Sequence, residues 1–248
     1  MRRFGNALNK NKFGEFTMYE RFGKRVLDFL LALVLSAILS PVLVVLTVTG
    51  LVAMGGNPFF TQPRPGRIGS DGKERIFLLV KFRTMSNKKD KDGNLLPDKD
   101  RLNAYGKFLR STSLDELPEF WNILRGELSF VGPRPQLVRD MVFMTQSQRR
   151  RHSVTPGLTG YAQVSGRNNI TWEQKFQYDL QYIDRGITFL GDLKIVFATI
   201  GKVLKRSDTV RQGTASDLDF GDYLLQSGQI TQEEYDEKQA QAKTLLRK

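Results

Sequence analysis

A chain of 248 residues can hold one or two domains around a real core, and its formal net charge of +12 selects for an acidic partner: nucleic acid, an anionic membrane surface or a phosphorylated substrate. The absence of cysteine excludes a disulfide framework, thiol nucleophiles and thiolate metal sites, and a single histidine, His152, excludes a His-cluster metal centre and argues against His-based catalysis. Carboxylates and hydroxyls remain as nucleophiles, with arginine and lysine to hold anions. The charge is uneven: residues 1–204 carry 31 Lys+Arg against 18 Asp+Glu, and the remainder carries 7 against 8.

Residues 1–18 read as a loose basic arm with no assigned fold. Residues 19–56 form a membrane segment, because Phe29 to Met54 is a run of 26 residues without a charged side chain. As a helix that run would reach about 39 Å, enough to cross a hydrocarbon core. It starts too late and runs too long for a signal peptide. Ser40-Pro41 interrupts it near the middle, where proline removes a helical hydrogen bond and bends the axis. Basic residues flank both ends, Arg21, Lys24 and Arg25 before it and Arg64, Arg67, Lys73 and Arg75 after it. Positive charge favours the cytoplasm, so the pattern favours a re-entrant hairpin over a Pro-kinked spanning helix.

Residues 57–206 read as one body that follows the membrane segment. Phe59 to Thr61 and Arg75 to Phe82, around Gly69-Ser70-Asp71-Gly72, predict a β-hairpin. The second strand ends in Lys81-Phe82-Arg83-Thr84-Met85, two cations and a hydroxyl that read as candidate phosphate ligands, Lys81 and Arg83, or as a solvated strand end. Ser86 to Asp100 reads as an exposed charged loop. Leu102, Tyr105, Phe108 and Leu109 fall at helical spacing and predict a short helix delivering Arg110 to the next motif.

That motif is Ser113-Leu114-Asp115-Glu116-Leu117-Pro118. Two adjacent carboxylates between Arg110 and Arg134, in a very basic chain, suggest chemistry on an anion, most simply a phosphate. Ser-x-x-Glu is also a capping box, and the local pattern alone favours that reading. Pro118 suits the first turn of a helix starting near Asp115, which would place both carboxylates at a helix N-terminus, where a phosphate is also favoured. Gly126 is a candidate C-cap. Pro133 and Pro135 stiffen the turn around Arg134. A helix from Gln136 to about Arg151 is predicted to end in three arginines, facing lipid phosphates or solvent. Residues 154–168 form a Gly-rich loop region that includes Thr159 and Arg167 and could approach a phosphate or base closely. Thr171-Trp172-Glu173-Gln174 opens a helix with Trp172, Phe176, Leu180 and Ile183 on one face, and residues 189–205 predict an amphipathic helix, in the membrane plane or in the core. Residues 207–248 read as a polar linker and a small helical appendage.

The ordered set is more specific than any member: the apolar segment with Ser40-Pro41, Lys81-Phe82-Arg83-Thr84-Met85, Gly106-Lys107-Phe108-Leu109-Arg110, the Asp115-Glu116 motif, Ser129-Phe130-Val131-Gly132-Pro133-Arg134-Pro135 and Pro156-Gly157-Leu158-Thr159-Gly160. From about Tyr19 to Lys205 the chain resembles the bacterial sugar transferases known as monotopic phosphoglycosyl transferases. The resemblance implies transfer of a sugar-1-phosphate from a UDP-sugar to polyprenyl (undecaprenyl) phosphate with release of UMP, at the start of surface polysaccharide or glycoconjugate assembly. It implies an α+β fold, mostly helical, with a small β-hairpin, in-plane amphipathic helices and a re-entrant helix broken at Ser40-Pro41, held on the cytoplasmic face of the bacterial inner membrane. It puts the Asp-Glu dyad on Asp115 and Glu116, the phosphate-binding arginine on Arg110 and the Pro-Arg-Pro motif on Pro133, Arg134 and Pro135. Mg²⁺ is the implied cofactor, held by Asp115 and Glu116. Thr159 and Arg167 are candidate nucleotide or loop contacts.

The expected route is ping-pong: Asp115 attacks the sugar-bearing phosphate, and polyprenyl phosphate then takes the phosphosugar from it. Glu116 would hold the metal or position the phosphate, two roles the sequence does not separate. No nucleic acid is expected as a partner, and an oligomer is compatible with the pattern. The rival readings are a non-enzymatic basic membrane anchor for anionic lipid or nucleic acid, and a membrane phosphatase that uses water as acceptor.

Overall fold

A computed structural model describes residues 18–166, 170–204 and 218–247. The basic arm up to residue 17, the linker at 207–217 and Arg167 lie outside the described residues.

After a π-helical turn at Tyr19–Gly23, α1 (Lys24–Ile38) and α2 (Ser40–Met54) meet at a 65° bend. Sequence chemistry explains the break. Pro41 has no N–H to offer the carbonyl of Ala37, and the Ser40 hydroxyl donates to that carbonyl instead, at 2.8 Å. Leu39 between them leaves helical geometry (φ −87°, ψ 1°). Among the described residues no single helix is long and apolar enough to cross a membrane, although the bent pair together has the length and composition. Much of its apolar surface is exposed, including Leu30, Val34, Ile38, Val44, Val45 and Val52.

One line of α1 is buried. Ala32 packs with Phe77, Leu79, Phe120, Ile123 and Leu128. Arg25 donates to the carbonyls of Ile123 (2.5 Å) and Leu124 (2.7 Å), the open C-terminal end of α5 (Glu119–Arg125). Gly126 closes that helix in the left-handed region, φ +81°, as the sequence suggests.

β1 (Phe59–Ile68) and β2 (Glu74–Phe82) form the expected antiparallel hairpin, with Phe59 opposite Phe82 and an irregularity between Pro65 and Ile68. The first strand runs well beyond the predicted Thr61: in a two-stranded sheet Pro63 and Pro65 can leave their missing donors on the unpaired side. The fully buried Asn122 of α5 serves the open side of β2, accepting from the Val80 amide (3.0 Å) and donating to the Leu78 carbonyl (2.7 Å). α5 is thereby docked on the hairpin as an extra strand would be. After α3 (Asp98–Arg101), α4 (Ala104–Thr112) is capped by Asn103, whose side chain accepts from the Gly106 amide, and Leu109 buries its side chain against Leu46 and Phe82.

β3 (Ser129–Val131) and β4 (Gly157–Thr159) pair in parallel. The Gly-rich region predicted as a loop exists to pack backbone on backbone. A Cβ at Gly157 would sit 2.1 Å from the Gly132 nitrogen, and one at Gly160 2.2 Å from the Gly132 oxygen.

The continuous helix expected from Gln136 to Arg151 is instead three short pieces: α6 (Val138–Met141), α7 (Gln146–Arg149) and a 3-10 turn at Arg150–Ser153. Met141, Val142, Phe143 and Met144 are all buried, which one face of a helix cannot achieve, and Thr145 opens a new helix with its own capping box. The three arginines do not form one common solvated end: Arg150 is exposed, Arg149 half-buried and Arg151 buried. Arg149 pairs with Glu74, Arg150 with Asp184, and the buried Arg151 with Asp179.

α8 (Tyr161–Ser165) leads to α9 (Trp172–Asp184), opened by the predicted Thr171 capping box, and α10 (Phe189–Leu204) follows. On α9 the buried face carries Asp179 and Tyr182 beside Trp172 and Phe176, rotated from the expected Leu180 and Ile183. The appendage, α11 (Phe220–Gln226) and α12 (Gln232–Leu245), shares a core with the body: Phe220 and Ala242 pack with Val142, Phe143, Met144, Trp172 and Phe176.

Candidate active site

Ser113 ends α4 in the left-handed conformation (φ 57°), the one non-glycine residue at positive φ among the described residues. That strain, on the order of 1 kcal/mol, turns the chain at once into a 3-10 turn, Leu114–Glu116. Ser113 makes no side-chain cap there. The capping box favoured by the local pattern therefore does not form, because the Glu116 carboxylate is taken by residues distant in sequence. The helix N-terminus expected at Asp115 is also displaced: α5 begins at Glu119 with Pro118 as its N-cap residue.

Lys81, at the end of β2, donates to Glu116 Oε1 at 2.8 Å, and Arg134 Nη2 donates to the same oxygen. Burial opposes the charge of Glu116, but Arg134 and Lys81 outweigh it and hold the carboxyl far below the usual carboxylate range. Glu116 raises the Arg134 guanidinium correspondingly. Lys81 also lies 3.0 Å from the buried Glu119 carboxylate, whose pKa is pushed up by burial and by Glu116.

Asp115 differs from its neighbour. Among the described residues it makes no ion pair, and burial, then the charge of Glu116, raise its pKa above the ordinary value. It lines a cavity of about 700 Å³ together with Lys81, Arg110, Arg134, Lys175 and Lys202, against Glu116 and Asp179 as the other carboxylates. Arg110 is steadied by donating through Nε to the Thr84 hydroxyl at 3.0 Å.

The Pro-Arg-Pro turn works as a bracket. Pro133 offers its carbonyl to the Gly157 amide (3.1 Å) and Pro135 to Arg64 (3.0 Å), while Arg134 Nη1 donates to the Leu158 carbonyl (3.1 Å). Arg151 donates to the Arg134 carbonyl (2.7 Å) and to Asp179 (2.6 Å). Thr159 lines the cavity, its hydroxyl 2.7 Å from that of Thr199.

The fold thus brings Lys81, Arg110, Asp115, Glu116, Arg134 and Thr159 to one cavity. Arg83 does not line it; its backbone amide pairs with Pro58. Pro133 and Pro135 act through their backbone, and Ser40-Pro41 lies in the helix pair. Sequence reading missed Glu119, Arg151, Asp179, Lys175 and Lys202. Asp179 carried a legible signal, a carboxylate seven residues after Trp172 and three after Phe176, on a helix's apolar stripe. Among the described residues no three His, Cys, Asp or Glu groups cluster as a metal site. The donor set nevertheless suits a magnesium ion that keeps most of its shell for phosphate and water, because Asp115 is unpaired and both cations bind Glu116 through Oε1.

The model of the family described as "Bacterial sugar transferase" matches residues 19–206. The chain is 45% identical over 181 residues, 73% of its length and 87% of the relative's, to the uncharacterized sugar transferase EpsL of Bacillus subtilis. It is 35% identical to the exopolysaccharide production protein ExoY of Sinorhizobium fredii, covering 73% of this chain and 84% of that one. It is 39% identical to the UDP-glucose:undecaprenyl-phosphate glucose-1-phosphate transferase of Klebsiella pneumoniae over 72% of this chain, which spans 39% of that longer protein. A match over three quarters of the chain, covering every element that builds the cavity, shows that this protein belongs to the bacterial sugar transferase family.

Proposed function

We propose that the protein transfers a sugar-1-phosphate from a UDP-sugar to polyprenyl phosphate, releasing UMP, and so begins assembly of a surface polysaccharide or glycoconjugate. The observation that carries this is the division of labour in the dyad: Glu116 absorbs Lys81 and Arg134, leaving Asp115 unpaired on the cavity wall. The relatives named as a glucose-1-phosphate transferase and as a galactose phosphotransferase, both acting with undecaprenyl phosphate, support the reaction class.

In the first step an Asp115 oxygen attacks the β-phosphorus of the donor. The bond from that phosphorus to the oxygen bridging the α-phosphate breaks, UMP leaves with the electron pair, and an aspartyl phosphosugar remains. In the second step a phosphate oxygen of the lipid attacks the same phosphorus and the Asp115 carboxylate is released. A carboxylate suits this role because it is ionised at neutral pH and its acyl phosphate stays reactive. Each approach brings an anion to a phosphate, and Arg110, Arg134 and Lys81 offset the repulsion. The shared Glu116 oxygen fixes Lys81 and Arg134 in advance, so their orientation costs nothing at the moment of reaction. Asp115 and Glu116 would hold Mg²⁺, which when bound would supply positive charge against the phosphates.

The acceptor is a lipid, so the cavity must lie at membrane depth. The 65° break and the exposed apolar faces of α1 and α2 support a re-entrant, monotopic placement on the cytoplasmic leaflet. Single cysteines placed before Phe29 and after Met54 in this cysteine-free chain test it. Labelling of both from one face is expected, and labelling from opposite faces would overturn the hairpin. The reaction is tested by UMP release from a panel of UDP-sugars with Mg²⁺, with and without polyprenyl phosphate. Sustained turnover with one donor that requires the lipid is expected; free phosphosugar accumulating without lipid would favour a phosphatase instead.

A further inference from the structure

Two chemically different sets of side chains line the cavity. One is the charged set around Asp115; the other is apolar and comes from Phe130, Leu158 and the Val196, Ile200 and Val203 stripe of α10. These last three recur at i, i+4 and i+7, so a single face of the helix is cavity wall. The helix is anchored at its first turns. Asp192 accepts hydrogen bonds from the Tyr19 hydroxyl (2.8 Å), the Tyr182 hydroxyl (2.8 Å) and the Lys24 ammonium (2.5 Å), and Ile195 is buried with Val131, Val154 and Ile187. The one hydroxyl on the stripe is already used: Thr199 donates to the Ile195 carbonyl at 2.8 Å and meets Thr159.

The wall continues to the surface. Ile200 lines the cavity yet is 49% exposed, and Phe197 on the same helix is 64% exposed. Lys24, bonded to the first turn of α10, stands at the head of α1, whose Val26, Leu27 and Leu30 are also exposed, so the apolar surface of α10 begins beside that of the helix pair. In a nucleotide sugar only the faces of the uracil ring gain from such a wall, the sugar, ribose and phosphates being polar, whereas an isoprenoid chain is apolar along its whole length. Among the described residues, Lys202, in the same lining, makes one hydrogen bond, a long one of 3.5 Å to the Gln163 carbonyl, so its ammonium is able to meet an anion.

We propose that Val196, Ile200 and Val203 of α10 seat the first isoprene units of the acceptor lipid, with Lys202 meeting its phosphate, while the nucleotide sugar occupies the charged set around Asp115. The inference rests on the reaction proposed above. It assigns the two substrates of a ping-pong cycle to different walls of one cavity, which lets the lipid arrive at the phosphosugar without first displacing Arg110 or Arg134.

The test uses the full chain in nanodiscs and an isoprenyl phosphate carrying a photoreactive group on its second isoprene unit, with the labelled peptide identified by mass spectrometry. Label is expected within residues 195–203, to be displaced by undecaprenyl phosphate but not by the same concentration of phosphatidylglycerol. Ile200→Gln, at a half-exposed position where folding can be verified by melting temperature, is expected to lower labelling about tenfold, the loss of one buried apolar side chain, and to raise the KM for lipid more than that for UDP-sugar. Label confined to other elements, equal displacement by phosphatidylglycerol, or undiminished labelling of Ile200→Gln would overturn the assignment. Correct labelling with no UMP from any donor would leave the lipid seat standing and overturn the reaction instead.

Discussion

Asp115 and Glu116 are adjacent carboxylates held in opposite electrostatic states. Cations fix Glu116 well below the usual range, while burial and the charge of Glu116 lift Asp115 above it. Asp115→Asn, which keeps the shape and removes the nucleophile, is expected to reduce UMP release by several orders of magnitude without loss of melting temperature; normal release would contradict the assignment. Because Asp115 must be ionised to attack, UMP release should fall as pH drops through its raised pKa, above the ordinary carboxylate value. Glu116→Gln removes the repulsion and frees the charge of Lys81 and Arg134, both of which lower the Asp115 pKa. Its pH–rate profile should therefore be slower throughout, with the acid limb moved to lower pH. At this scale the dyad, Arg110 and Arg134 were legible because they lie in short motifs. Glu119 and Arg151 were not: each acts through a partner 28 to 38 residues away, and single-residue chemistry does not announce which distant charge will be met.

The elements that hold the site are set by short, specific devices. Ser40-Pro41 announced its break and the hairpin its turn, because proline and glycine act locally. The Gln136–Arg151 stretch was misread because its four-residue apolar run must be buried on all sides, a demand imposed by tertiary packing that periodicity does not carry. Gly157 and Gly160 are a third case: the glycine-rich composition was visible, but not that these two pack against the Gly132 backbone. Gly157→Ala, whose Cβ would fall 2.1 Å from a backbone nitrogen, is expected to cost about 3 kcal/mol and to lower UMP release by shifting the Pro133-Arg134-Pro135 bracket. Gly201→Ala, at an α10 position with open space around it, should instead raise the melting temperature by the helix-propensity gain, about 1 kcal/mol or less. Thermal melts of the two variants beside the parent check both signs.

Across the molecule, long-range charge pairs join elements that the hydrophobic clusters leave separate. Glu74 on β2 is one such point: burial alone would raise its pKa, but hydrogen bonds from His152 and Arg149 pull it down to about 2. A depressed carboxylate contributes stability that is full above its unfolded pKa, near 4.5, and is lost as pH falls toward 2. Glu74→Gln should therefore lower stability at neutral pH by on the order of 2 kcal/mol and flatten the loss between pH 4.5 and 2, as urea melts across that range would show. His152, the only histidine, is used here as a buried donor to Glu74. The appendage completes the picture, since it packs on Trp172 and Phe176 of the helix whose Lys175 and Asp179 line the cavity. The central claim, that Asp115 carries the phosphosugar, is tested most directly by mixing the protein with its UDP-sugar and Mg²⁺ in the absence of lipid, then measuring UMP and the intact protein mass within one turnover. A burst of one UMP per active site, a mass increase of one phosphosugar mapped to the peptide containing Asp115, and the loss of both in Asp115→Asn are predicted. Rapid UMP release only when polyprenyl phosphate is present, with no adduct at any time, would mean direct transfer between the substrates and would contradict the account.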